Sequence, residues 1–344
     1  MREGRSARSP TLDRSPVNAQ HDDSQHDDST HCTPRQNQST LHRMNPLLRF
    51  VATLIAFIFS AAGASAFAET ASKSGTHVIL LGTGTPNAEP ARSGPATAIV
   101  VNGAVYLVDS GPGLVRRAAA AKLPMPALKH IFFTHLHSDH TLGYPDLIFS
   151  PWVLERTAPL EAYGPPGLRA MTDHLRAAWQ EDIEMRLDGG EPSNKTGWRV
   201  NVHEITAGVV YRDANVTVKA FAVPHGTWKH AFGYRFETAD RTIVISGDTT
   251  FTQEMIEQAR GVDVLVHEAY SEVGLKTRAL PWQKYHAAFH TSSSDVARIA
   301  REAKPKLLVL HHLVLSGQPP EQVLREVSAG YSGKVVIGQD LDVY

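Results

Sequence analysis

Seven consecutive residues, Thr134-His135-Leu136-His137-Ser138-Asp139-His140, follow the apolar run Ile131 to Phe133 and put four nitrogen or oxygen ligands into six positions. A lone histidine is usually structural, but four metal-capable side chains in one loop at a strand end have little other use. The pattern recurs downstream: Val223-Pro224-His225 ends a strand-like run, Gly247-Asp248-Thr249 follows Ile243 to Ser246, and His311-His312 follow Leu307 to Leu310. A chain with this layout is expected to fold so that ligands from several strand ends converge at one rim of a sheet.

Composition limits the chemistry of such a rim. The 344 residues include 18 His and one Cys, so a metal site must be built from imidazole and carboxylate, and a disulfide framework is excluded. With 34 Lys plus Arg against 35 Asp plus Glu, the formal net charge of -1 gives no strongly basic groove, the usual footprint of nucleic-acid binding. Hydrophobic residues at 42% allow a sizeable core. No internal repeat is visible.

The N-terminal part reads differently. Residues 1–43 hold His-Asp-Asp-Ser clusters without apolar periodicity and are expected to be disordered. From Met44 a basic start, an apolar run from Phe50 to Phe59 and small residues to Ala68 make the three parts of a signal peptide, with cleavage fitting after Ala66 or Ala68. Translation from Met44 would make 1–43 an extension of the gene model, and would remove Cys32. The expectation is export to the periplasm or beyond, with 44–68 removed, 69–344 as the folded domain and no stable membrane span after cleavage, the apolar run being shorter than the roughly 20 residues a span needs.

Within 69–344, short aliphatic runs predict strands at His77 to Leu81, Ala98 to Val101, Val105 to Val108, Ile131 to Phe133, Val216 to Val223, Thr242 to Ile245, Val262 to Val266, Leu307 to Leu310 and Val335 to Ile337. Helices are expected at Leu114 to Lys122, Leu168 to Trp179, Thr252 to Ala259, Ser294 to Ala303 with Ser292 or Ser293 as cap, and Glu321 to Ala329. Strands and helices interleave, which predicts an α/β fold with helices on sheet faces. The polar stretch Asp188 to Thr196 is a loop by composition.

The run His135-x-His137-x-Asp139-His140, followed in order by His225, Asp248 and His312, resembles the metallo-β-lactamase superfamily. Leu81-Gly82-Thr83-Gly84-Thr85-Pro86, Tyr163-Gly164-Pro165-Pro166-Gly167, Gly233-Tyr234-Arg235 after His225, His267-Glu268-Ala269 and His290-Thr291-Ser292 are similar to the ribonuclease Z branch and its arylsulfatase relatives. The resemblance implies an αββα sandwich of two mixed sheets flanked by helices. It also implies two zinc ions, with manganese or iron as alternatives. His135, His137 and His225 would hold one, Asp139, His140 and His312 the other, with Asp248 bridging. His311 competes for the last position, but the family's spacing of strand, one residue, ligand favours His312. Glu268 and His290 resemble the pair that assists proton transfer, and Asp139 joins them as a catalytic candidate. His77, His174, His203 and His267 read as structural. Trp152, Trp179, Trp228, Trp282 and Tyr285 could line a pocket for an aromatic leaving group, but isolated aromatics are usually core, and none is singled out.

Two departures from the branch bear on substrate. RNA-processing members carry a long arm between the third ligand and the bridging Asp, whereas only 22 residues separate His225 from Asp248, and Tyr270 stands where Thr is usual. The sequence therefore points to an exported dinuclear hydrolase of small anionic esters, phosphodiester or aryl sulfate, working by attack of a metal-activated hydroxide, with nucleic acid not expected as a partner and a homodimer compatible. The alternatives are a ribonuclease Z-type endoribonuclease, a lactonase, or a non-catalytic metal-binding protein of the same fold.

Overall fold

A computed structural model describes residues 75–344. The expected disordered extension 1–43, the signal segment 44–68 and the first residues of the folded domain lie outside the described residues. Among the described residues no helix is long and apolar enough to cross a membrane.

Thirteen strands form two mixed sheets among the described residues. The first comprises β1 (Thr76–Gly82), β2 (Ala96–Val101), β3 (Ala104–Val108), β4 (Leu128–Phe132), β5 (Leu160–Gly164) and β6 (Val200–Glu204), adjacent in that order. Its first three strands are an antiparallel meander and the rest are parallel. The second runs β13-β12-β11-β10-β9-β8-β7, from β7 (Gly208–Arg212), β8 (Val216–Ala222), β9 (Phe232–Thr238), β10 (Thr242–Ile245), β11 (Val264–Tyr270) and β12 (Leu308–Val314) to β13 (Val335–Ile337).

Alternation within β1 shows how the layers are made. Val78 and Leu80 point into a core shared with the second sheet through Val216, Phe232, Tyr234 and Val309, while Ile79 and Leu81 enter a second core under helices. A strand buried on both faces reads as a continuous apolar run, which is why these strands were visible in the sequence. The helices on the first sheet include α1 (Leu114–Ala120), α3 (Tyr144–Val153) and α4 (Leu168–Ala178); α2 is the short turn Ser138–Thr141 and α5 spans Gln180–Asp188. The outer face of the second sheet is covered by α6 (Gln253–Gln258), α9 (Ser293–Ala303) and α10 (Pro320–Gly330), with α7 (Glu272–Lys276) and α8 (Leu280–Phe289) between β11 and α9. The result is the expected αββα sandwich of four layers.

Ser292, one of the two expected caps, accepts from Asp295 N at 3.0 Å at the start of α9. The expected helices and strands are present, β10 and β13 with the expected ends and the others with shifted ones, and the structure adds β5, β6, β7, β9, α2, α3, α5, α7 and α8. In α3, Pro145 and Pro151 hide a ten-residue helix, and β6 and β7 carry exposed polar residues near a sheet edge that weaken the apolar signal. The stretch from Asp188, the last residue of α5, to Thr196 connects elements: Asn194 O accepts from Trp152 Nε1 at 2.8 Å, and none of it lines the cavity beside His137 and Asp139.

Candidate metal centre

The strand β4 delivers the chain to Thr134 through His137, and α2 then turns Asp139 and His140 back toward the same point. His135 Nε2 lies 2.9 Å from His137 Nδ1, and His225 Nε2 lies 3.1 Å from the same atom. Three imidazole nitrogens converging this closely suit a shared cation, since at most one of each pair can donate.

Each ring is held from behind. His137 Nε2 accepts from Trp228 Nε1 at 2.7 Å, His225 Nδ1 donates to Phe289 O at 2.7 Å, and His135 Nδ1 is 3.0 Å from Thr134 Oγ1. The contacts of His225 and His135 fix the tautomer that leaves Nε2 of each ring free for a metal, whereas the Trp228 N–H on His137 Nε2 places that ring's proton on Nδ1, the atom that faces the other two rings. Burial, the main cause, and the neighbouring His225 push His137 down to about 4; burial likewise brings His225 to about 4, so both are neutral ligands at pH 7.

A second cluster consists of Asp139, His140 and His312. His312 Nε2 is 3.2 Å from Asp139 Oδ2, and His140 Nε2 is 3.6 Å from that oxygen. His140 Nδ1 lies 2.8 Å from Asp109 Oδ2, a carboxylate that also accepts from Thr134 N and Thr134 Oγ1, both at 2.8 Å. Burial alone would lower the His140 pKa, but Asp248 and Asp109 outweigh it and raise it.

Asp248 sits between the clusters. Its Oδ2 is 3.9 Å from His135 Nε2 and 4.0 Å from His225 Nε2, while Oδ1 is 3.5 Å from His140 Nε2 and 3.7 Å from His312 Nδ1. Gly247 makes this position reachable: its φ is +59°, and a Cβ there would stand 2.7 Å from Phe232 O and 2.9 Å from Thr134 Cβ. The seven side chains named from the sequence are thus brought together in the expected two groups. His140 Nε2 and His312 Nδ1 are buried without a hydrogen-bond partner. With five imidazoles, two carboxylates and no thiolate, the donor set fits a pair of divalent cations such as zinc.

Glu268 and His290 also meet, with His290 Nδ1 3.3 Å from Glu268 Oε2. Glu268 is fully buried and its Oε1 accepts from Thr291 N at 2.7 Å. Burial pulls the His290 pKa down, but the Glu268 charge and hydrogen bond prevail and lift it to about 9. His290 is also 3.9 Å from Asp248 Oδ2, and Asp248, His290 and His312 form a third group of mutually close ligand atoms.

A cavity of about 530 Å³ opens over the centre, and His137, Asp139, Asp248, His290 and His312 line it. Glu268 does not line it and touches it only by way of His290. His311 is buried with both ring nitrogens unpartnered and belongs to no ligand group. The reason is a bulge: His311 pairs with Glu268 and Leu313 with Ala269, so His312 is left over, at φ +46°, and turns out of the strand toward the centre. His77, His174, His203 and His267 lie outside the ligand groups.

Sequence reasoning missed Asp109 and the role of Trp228. Asp109 had a faint signal, a carboxylate directly after the buried run Tyr106 to Val108; Trp228 had none.

Comparison with known proteins follows the same lines. Residues 105–313 match the family described as Beta-lactamase superfamily domain. Ribonuclease Z of Mycobacterium sp. (strain KMS) is 33% identical over 269 residues, covering 77% of this chain and 94% of that protein. Among solved structures, the metallo-beta-lactamase fold protein YhfI from Bacillus subtilis superposes with a TM-score of 0.63 at 18% identity over 78% of this chain and 98% of that one. The short form of human tRNase Z gives 0.60 at 24% identity, again over 78% and 98%.

Proposed function

This chain belongs to the β-lactamase superfamily and is a metal-dependent hydrolase of it, and from that premise we propose that it cleaves phosphodiester bonds with a pair of zinc ions. The observation that carries the reading is Asp248, whose two oxygens reach the two ligand clusters on either side of it beneath one cavity. When bound, such a pair neutralises charge on phosphoryl oxygens and lowers the pKa of a nearby water. The protein's own residues do the rest. His135, His137 and His225 would hold one ion, Asp139, His140 and His312 the other, and Asp248 would touch both. His290, on the cavity wall with Nδ1 held by Glu268, presents its remaining nitrogen to protonate the departing oxygen. Glu268 keeps that ring oriented.

Aryl sulfate esters have less support than phosphodiesters, because the sequence relatives are named for a ribonuclease. RNA itself stands as a second reading, favoured by collinearity. The 269-residue match takes up 77% of this chain and 94% of the mycobacterial protein, which leaves no room in that relative for an arm of tens of residues. The short link here, with β9 and β10 joined by a tight hairpin, therefore does not separate this chain from proteins of that name. A near-zero net charge alone does not exclude nucleic acid, so the expectation of no nucleic-acid partner is not supported. Export, argued from residues 44–68, favours small substrates over RNA.

The test is metal content together with hydrolysis of bis(p-nitrophenyl) phosphate, p-nitrophenyl sulfate and a precursor transfer RNA, before and after chelation. Two zinc ions per chain and chelator-sensitive phosphodiester cleavage are expected, abolished in Asp139→Ala. Cleavage of sulfate alone, or activity retained in Asp139→Ala, overturns the proposal.

A further inference from the structure

The helix α8 breaks a rule that the other helices near the core obey. None of its ten residues is buried, although it carries Trp282, Tyr285 and Phe289. Trp282 is 50% and Tyr285 38% exposed. Large aromatics left open to water on one helix mark a binding surface, and here their position says for what. Trp282, Tyr285 and His286 line the same cavity as Asp139, His290 and His312. A file of rings connects them to the metal centre: Trp282 stacks on His286 at 5.8 Å and 24°, His286 is 5.6 Å from His290, and His290 stacks on His312 at 5.8 Å. Tyr285 stays rigid by stacking on Phe289 at 4.3 Å, and Phe289 in turn meets ligand His225 at 5.1 Å. Arg278, just before the helix, lines the cavity and has no ion-pair partner among the described residues.

We propose that α8 is the specificity wall of the site, with the face of Trp282, which Tyr285 meets at 5.9 Å and 86°, stacking on a planar ring of the substrate, Tyr285 bordering that ring, and Arg278 receiving the substrate's negative charge. The substrate class is then an anionic phosphoester that carries an aromatic ring, either a nucleobase or a simple aryl group. The inference rests on the phosphodiester reading for its chemistry, but binding tests it separately. A protein partner seated on α8 would leave the aromatics facing outward without the ring contacts that run down to His290 and His312.

The experiment is calorimetric binding of phenylphosphonate and methylphosphonate to the zinc-loaded full chain, which differ in the ring and not in charge. The wild type should prefer phenylphosphonate by about 10-fold, as stacking on one aromatic side chain allows. Trp282→Ala with Tyr285→Ala should abolish the preference, Trp282→Phe should keep most of it, and Arg278→Gln should weaken both ligands alike. Uridine 5′-monophosphate against phenyl phosphate separates the two sources of the ring. For bis(p-nitrophenyl) phosphate the double substitution should raise KM about 10-fold with kcat little changed. A wild type indifferent to the ring, or a preference that survives the double substitution, overturns the inference. Ring preference in a protein that hydrolyses no phosphodiester supports the wall while refuting the proposed reaction.

Discussion

Asp109 Oδ2 lies 2.8 Å from His140 Nδ1, and the same carboxylate accepts both the backbone N–H and the hydroxyl of Thr134, the residue that leads into the ligand loop. One buried side chain at the end of β3 therefore sets the tautomer of His140 and the start of the His135–His140 run together.

Asp109→Ala should lower affinity for the second zinc ion by about 10- to 100-fold, because a ligand imidazole loses its orienting acceptor. Competition with a chromophoric chelator measures this. Equal affinities in variant and wild type would show that Asp109 does not tune the site.

Trp228→Phe removes the N–H that reaches His137 Nε2 at 2.7 Å while keeping the aromatic bulk. Because that contact places the neutral ring's proton on Nδ1, which faces His135 and His225, zinc at the His135, His137 and His225 cluster should bind at least as tightly in the variant, with the other cluster little affected. At limiting chelator the variant should retain two ions per chain, and loss of one would show that the Trp228 contact supports the site.

His311 and His312 are adjacent but predict opposite outcomes. His312→Ala should cost one metal ion; His311→Leu should leave both. Burial, with the neighbouring His312, pushes the His311 pKa down to about 3, so the ring is neutral in the folded protein. In the unfolded chain its value returns to roughly 6.5, and between these limits the unfolded state binds the extra proton. Stability is therefore present above about pH 6.5 and is lost as pH falls toward 3. Urea unfolding of metal-free protein at pH 7 and pH 5 should show a smaller acid loss in His311→Leu than in the wild type.

Arg156 is fully buried and donates to four backbone carbonyls, those of Leu128, Leu147, Ile148 and Gly197, at 2.7–2.9 Å. It pins β4, α3 and the loop before β6 to one another. Arg156→Leu strands several buried acceptors, each worth about 1–3 kcal/mol, and should destabilise by about 3 kcal/mol or more. Chemical denaturation reads the loss, and since Arg156 does not line the cavity, kcat at low temperature should change little.

The candidate ligands were legible because their chemistry is local. His135, His137, Asp139 and His140 share one loop, and His225, Asp248 and His312 each close an apolar run, so residue type and order carry the signal without coordinates. The layered α/β fold was legible for a related reason: the middles of β1, β3 and β10 are buried on both faces and read as apolar runs. Strands near an edge, such as β6 and β7, lack that pressure, and the prolines in α3 and at the start of α8 disguise helices that tertiary contacts or neighbouring turns sustain.

Tertiary structure alone decided which side chains serve those ligands. Strand alternation cannot reveal that a bulge opposite Glu268 and Ala269 expels His312 from the ladder, nor that Trp228 and Asp109 arrive behind His137 and His140 from distant parts of the chain. The sequence by itself determined the imidazole and carboxylate character of the site and an α/β fold with helices on sheet faces, because both follow from residue type and periodicity, while the αββα sandwich was implied by the family resemblance. The orienting contacts and the aromatic wall of α8 depend on approaches between segments far apart in sequence, and the packing of the two sheets creates those approaches.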